Sequence, residues 1–246
     1  MPYVLTVSPD FTPKHIAGWY IFNTWLQLQA DIPIHLELYN SFNKQRDAIA
    51  ADKIDLIYAN PYDASMLVRE KGFTALVAPL NKADETIIAC NKNYRSNKIE
   101  DLQENLTIVT TDDPDVHLMG MMMLEPADLN ADNTNIQEMS SYVLVAKQLL
   151  QNKADIGFFL KDAYNDLSNL IKDDLNVLIS SEIQIIRHVL LASPRLKEYH
   201  NKIKNLLINM KNDPKGSNVL SSMGFSGWEA QDQEDTEFMI DLMDAL

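Results

Sequence analysis

Short β-rich runs alternate with amphipathic helical stretches along most of this chain, and no other feature narrows its possible folds as much. Ile34, Leu36 and Leu38 recur with the period of two expected of a strand. Tyr3–Val7, Ile54–Tyr58, Thr74–Ala78, Thr86–Cys90, Leu106–Thr110, Ile156–Phe159 and Leu175–Ile179 are further strand candidates, most of them bounded by turn residues. Between them, Ile16, Trp19, Phe22 and Leu26 share one helical face, and Tyr142, Val145, Ala146, Leu149 and Leu150 form a second apolar stripe. Asn60 is a natural N-cap, with Pro61 at the first helical position and Gly72 as the stop. This β-α-β order predicts an α/β fold with mainly parallel sheets covered by helices on both faces. From about Ser193 onward only helices are expected, beginning at Ser193-Pro194 and ending in an amphipathic piece from Phe238 to Leu246.

Composition removes several function classes. The chain has 246 residues, room for one large α/β unit or two modest lobes. Its net charge of −14, from 21 basic and 35 acidic side chains, opposes nucleic-acid binding, which needs clustered cations. The same charge opposes docking on an anionic membrane, and no apolar run approaches the ~18–20 residues that span a bilayer. The single cysteine, Cys90, excludes an internal disulfide and a multi-cysteine metal site; its apolar neighbours predict a buried, inert thiol. With 7 glycines there is neither a GxGxxG nor a phosphate-binding loop, so nucleotide chemistry is not expected. His117 beside Asp113 and Asp115 is the one grouping that mimics an acid/base pair or a metal site, and its spacing fits no metal motif. The expectation is a protein with no cofactor, no resident metal and no catalytic activity. The opening Met1-Pro2-Tyr3 lacks a basic segment and a cleavage site, so the protein is periplasmic if an export segment has been removed and cytoplasmic otherwise.

Several segments, taken in order, resemble the phosphonate/phosphite/phosphate-type binding proteins of ABC importers, a branch of the type II periplasmic binding proteins. Val7-Ser8-Pro9-Asp10-Phe11-Thr12-Pro13 is similar to the family's Pro-containing loop after the first strand. Ala48 to Tyr62, with Asp55-Leu56 and Pro61-Tyr62, resembles its second signature, and Ile99-Glu100-Asp101-Leu102 a third that here lacks the family glycine. Asp113-Pro114-Asp115 matches the start of the family's ligand loop. Val145–Asp155, Met210–Gly216 and Met223-Gly224-Phe225 complete the series.

The resemblance implies a two-lobed periplasmic-binding-protein type II fold whose lobes are joined by two hinge strands, near Ala83–Cys90 and Ser181–His188. Lobe 1 would hold 1–83 plus 184–246, and lobe 2 would hold 84–183. The implied function is a solute-binding protein that closes around a small-molecule ligand, with an ABC permease as partner; a monomer is expected. A non-transport sensor or interaction module with the same fold is the alternative.

Loops after strands supply the ligand-binding candidates: Asp10, Phe11, Tyr39, Asn60, Tyr62, Thr111, Asp113, Val116, His117, Tyr142 and Phe158. Two readings stand for several of them. Asn60 caps a helix or touches ligand, Tyr62 matches a ligand-facing family tyrosine or packs locally, and Phe11 and Tyr39 form an aromatic wall or fill a core. His117 meets a ligand or is satisfied locally, and Met121–Met123 line an adaptable cleft or a core. The family's Ser-Thr-Ser stretch falls here on Val116, His117 and Leu118, and its ligand-proximal histidine is Tyr142. Three hydroxyls are replaced while Asp112, Asp113 and Asp115 crowd the loop. A small organic ligand, neutral or cationic, is therefore expected in preference to the family's phosphonate-like or phosphate-like oxyanion, which remains the alternative.

Overall fold

A computed structural model describes residues 2–10 and 13–245. The chain divides into two compact units: unit 1 is Met1–Ala83 with Arg187–Ala245, and unit 2 is Asp84–Ile186. The backbone thus passes between units twice.

Unit 1 begins with β1 (Tyr3–Val7), α1 (Ile16–Ala30), β2 (Ile34–Leu36), α2 (Phe42–Ala50), β3 (Leu56–Ala59), α3 (Pro61–Arg69) and β4 (Thr74–Pro79). Unit 2 follows with β5 (Thr86–Asn91), β6 (Thr107–Thr110), α4 (Pro114–Met122), β7 (Asn135–Glu138), α5 (Tyr142–Leu150), β8 (Ile156–Leu160), α6 (Lys161–Asn165), α7 (Asn169–Lys172) and β9 (Leu175–Ser180). The chain then completes unit 1 with β10 (Val189–Ala192), α8 (His200–Ile208), α9 (Pro214–Met223), β11 (Trp228–Ala230) and α10 (Gln233–Asp244).

Local signals account for the helix starts. The Asn60 side chain accepts the Asp63 N–H at 2.7 Å with Pro61 next to it, so α3 begins where the cap and proline dictate. Ser41 and Ser141 cap α2 and α5 in the same way. On α1, Trp19, Phe22 and Leu26 are buried together, whereas Ile16 stands 36% exposed at the helix start.

Both sheets are mixed, which corrects the expectation of mainly parallel pairing. Unit 1 has six strands in the order β11-β4-β10-β3-β1-β2, and unit 2 has five in the order β7-β6-β8-β5-β9. β1 runs parallel to β2 and β3, but β10 inserts antiparallel between β3 and β4, and β11 is antiparallel to β4. In unit 2, β6 is parallel to β7 and β8, while β5 is antiparallel to β8 and β9. The returning chain enters unit 1 opposite in direction to the strands already laid down, so its hydrogen bonds must be antiparallel. β11 also corrects the expectation of a purely helical tail.

Alternate residues of each strand serve opposite cores. In unit 1, Leu56, Tyr58, Leu190 and Ala192 face Trp19, Phe22, Ile203, Leu207 and Leu220, while Ile57, Ala59, Val189 and Leu191 face Ile49, Leu67, Met239 and Ile240. In unit 2, Ile88, Ile108, Ile156 and Phe158 pack with Val116, and Ile87, Val109 and Phe159 pack with Val145, Ala146 and Leu149. Each large aliphatic or aromatic side chain taken out of water contributes about 1.5–3 kcal/mol. Having both sheet faces covered is what leaves the strand ends as the place for polar side chains.

Candidate functional site

In unit 1 the carboxyl ends of β1 and β3 and the amino end of β10 share one edge of the sheet, because Val7 pairs with Tyr58 and Ala59 with Val189. Ser8, fully buried there, donates its N–H to Tyr58 O at 2.8 Å and receives the Asn60 side-chain amide at 3.1 Å. That amide also reaches Asp63 at 3.1 Å, and Asp63 receives Arg46 Nε at 2.6 Å. The Arg46 guanidinium lies 5.4 Å from the Phe42 ring centre and 5.0 Å from that of Tyr62, so one cation organises two aromatic faces. Tyr62 remains 47% exposed, the most open of the described aromatics on this edge.

Beside this chain of contacts, His188 meets the Asp10 carboxylate at 2.8 Å and stacks on Tyr58 with ring centres 4.9 Å apart. Both side chains of this pair are buried. His188 escaped the sequence reading because it carries no motif; its signal is its position just before the strand that brings the chain back into unit 1.

In unit 2 the corresponding edge is formed by the end of β6 and the start of α4. Asp113 is the N-cap: its Oδ1 accepts the N–H groups of Asp115 at 3.2 Å and Val116 at 3.3 Å. Its Oδ2 accepts the phenol of Tyr142 at 2.8 Å. A built-in carboxylate therefore occupies the positive end of the helix, where backbone donors would otherwise receive an anion. Thr110 and Thr111, just ahead of it, are buried with side-chain oxygens that have no hydrogen-bond partner. His117 sits half-buried on α4; burial pushes its pKa down, with Glu138 pulling weakly the other way.

The remaining candidates divide. Asn60 is a buried cap. Tyr39 is partly buried against the second core of unit 1, and burial, followed by the nearby Glu37 charge, raises its pKa. Val116 and Phe158, expected among the ligand contacts, are fully buried in the unit 2 core; their side chains are spent on packing. Gly120 makes that packing possible, since a Cβ there would stand 2.4 Å from the Phe158 ring. The methionine run is core as well: Met123 belongs to the same cluster, and Met121 and Met122 pack against it. Phe11 lies outside the described residues, as does Thr12.

The family profile described as "ABC transporter, phosphonate, periplasmic substrate-binding protein" matches residues 5–236. The chain belongs to this family. Its members are the substrate-binding components of ABC importers, a role of capture rather than catalysis, and one exercised with a membrane permease. Among solved structures, PhnD1 from Prochlorococcus marinus in complex with methylphosphonate superposes with a TM-score of 0.81 at 13% identity, covering 99% of this chain and 98% of that one. XAC2383 from Xanthomonas citri, solved with chloride, gives a TM-score of 0.81 at 14% identity over 99% and 96% of the two chains. A binding component of an ABC phosphonate transporter from Pseudomonas aeruginosa gives a TM-score of 0.74 at 15% identity over 99% and 88%. At these identities the superpositions establish the type II periplasmic-binding-protein fold. No curated protein matches the sequence. Among the described residues no helix is long and apolar enough to cross a membrane.

Proposed function

We propose that this family member captures a small organic ligand whose recognised group is neutral or cationic, and that it does not accept a phosphonate-like oxyanion. One observation carries the reading: the Asp113 carboxylate, held by Tyr142, already takes the α4 N–H groups at the position where the family's ligand loop begins. An entering oxyanion would have to displace a like charge and would find Val116 and Leu118 in place of hydroxyls. A hydroxyl, amide or ammonium group meets no such opposition from the Asp113 carboxylate.

On this reading the ligand is taken between the two units, which close about hinges at the two chain crossings. Asp10, Tyr39, Asn60 and Tyr62 on unit 1, with Thr111, Asp113, His117 and Tyr142 on unit 2, are the residues proposed to shape its surroundings. The protein acts as a monomeric periplasmic receptor, delivers its ligand to a permease, and neither binds nucleic acid nor performs chemistry.

The test is a thermal-shift screen followed by titration calorimetry. Its panel pairs methylphosphonate, phosphate and an alkanesulfonate with quaternary ammonium compounds, amines, amides and polyols. A hit confined to the second group supports the proposal. Low-micromolar methylphosphonate or phosphate binding without response to the organic solutes refutes it.

A further inference from the structure

The β5–β9 ladder ends with the pair Ile87 and Ser180 and one further backbone bond, from Ser181 N–H to Thr86 O at 2.9 Å, and residues 181–188 then run without regular secondary structure. Something other than a ladder must hold this returning segment, and Glu85 does so. Its buried carboxylate accepts the Ser181 hydroxyl and the Ile183 N–H, the latter at 3.2 Å, on one oxygen and the Gln184 N–H at 2.7 Å on the other. Gln184 adopts a left-handed φ of 60°, and the successive N–H groups of Ile183 and Gln184 meet the same carboxylate. Around this centre, Asp84 N–H donates to Ile186 O at 2.7 Å, and the Ser181 hydroxyl receives Thr86 N–H at 2.9 Å.

We infer that Glu85 is the positioning residue of the hinge: beyond the last ladder bond its carboxylate gathers the donors of residues 181–184 at one point and so sets where the returning segment leaves the strand. The inference rests on the receptor reading above, since a hinge matters only to a protein that closes. A ladder of parallel bonds resists rotation along its whole length. Several donors converging on one side chain fix a position with few backbone bonds, and beyond it the segment is next held at Ile186, whose O accepts the Asp84 N–H and whose side chain is fully buried. Glu182, Gln184 and Ile185 are exposed, so the packing of this stretch rests on the half-buried Ile183 and the fully buried Ile186.

The substitution Glu85→Gln keeps shape and removes the charge. An amide nitrogen facing Gln184 creates a donor–donor conflict, and one facing Ile183 and Ser181 loses their acceptor. The experiment places nitroxide labels at Leu28→Cys in unit 1 and Leu170→Cys in unit 2, both highly exposed, in a Cys90→Ala background. Electron–electron distances are then measured on the full chain without ligand. The expected result is a broadened or shifted distance distribution in E85Q, with retained near-UV circular dichroism, and a smaller change of the same sense in Ser181→Ala. Distributions that superpose on the parent in a folded E85Q, or in Ser181→Ala if E85Q does not fold, would overturn the inference. Because no ligand enters the measurement, its failure is separate from any failure to find an organic solute.

Discussion

The phenol of Tyr142 donates to Oδ2 of Asp113 at 2.8 Å while Oδ1 of the same carboxylate caps α4. The residue standing at the family's histidine position thus does not face outward for a ligand alone; it fixes the rotamer of the cap. A carboxylate held at both oxygens occupies the helix N-terminus, and the proposed ligand preference rests on it.

Replacing that occupant separates stability from selectivity. Asp113→Ala is expected to cost about 1 kcal/mol, the usual value of a lost cap, measured by urea denaturation. It should also raise methylphosphonate affinity by about tenfold, equivalent to about 1.4 kcal/mol, by freeing the N–H groups and removing a charge. Asp113→Asn keeps the cap and should leave stability close to the parent. Calorimetry showing equal methylphosphonate affinity in all three proteins would contradict the role given to the carboxylate.

Gly120 tests the identification of Phe158 as core. A methyl group at this position would lie 2.4 Å from a fully buried ring, so Gly120→Ala must displace it. Overpacking of this kind costs about 1–3 kcal/mol. A midpoint of denaturation equal to the parent's would mean that the ring is free to move.

The buried pair of Asp10 and His188 should behave as a unit. Removing one partner of a buried hydrogen-bonded pair costs about 1–3 kcal/mol, more where a charge is stranded, because the other member is left unmatched. Asp10→Asn and His188→Gln are each expected to destabilise strongly, and the double variant by much less than the sum. A double-mutant cycle with coupling under about 0.5 kcal/mol would show the two to be independent.

His117 gives a pH signature. Burial lowers its pKa in the folded state from the ordinary 6.5, so the unfolded chain takes up the proton first as pH falls. Where the unfolded state binds more protons, stability rises with pH. The contribution of His117 is therefore complete above its unfolded pKa and declines as pH drops from about 6.5 toward the folded value. His117→Gln should flatten the stability profile between about pH 7 and pH 5. An unchanged slope in denaturation curves across that window would rule out a buried neutral imidazole.

What could be read without coordinates was local. Asn60 followed by Pro61 announced the start of α3, and the apolar spacing from Tyr142 to Leu150 announced α5, because caps and helical faces depend on neighbours a few residues away. Most strands were legible as apolar runs for the same reason. β7 was not, since Asn135–Glu138 is largely polar and holds its place through pairing with β6. The aromatic and methionine cluster around 116–123 and 158–159 drew attention as a ligand wall, yet composition alone does not say which face of a helix meets a sheet.

The amino-acid sequence by itself determined most element types apart from strands such as β7 and β11, the main caps, the acidic balance and the family, all carried by short-range pattern or by the order of motifs. Only the tertiary structure decided that β10 enters between β3 and β4, bringing His188 onto Tyr58 and Asp10, and that Val116 and Phe158 are interior. The physical reason is that strand partners and core contacts join residues far apart along the chain, from tens of positions in unit 2 to well over a hundred where β10 returns to unit 1. Their hydrogen bonds and burial arise from three-dimensional closure and leave no periodic trace along the chain.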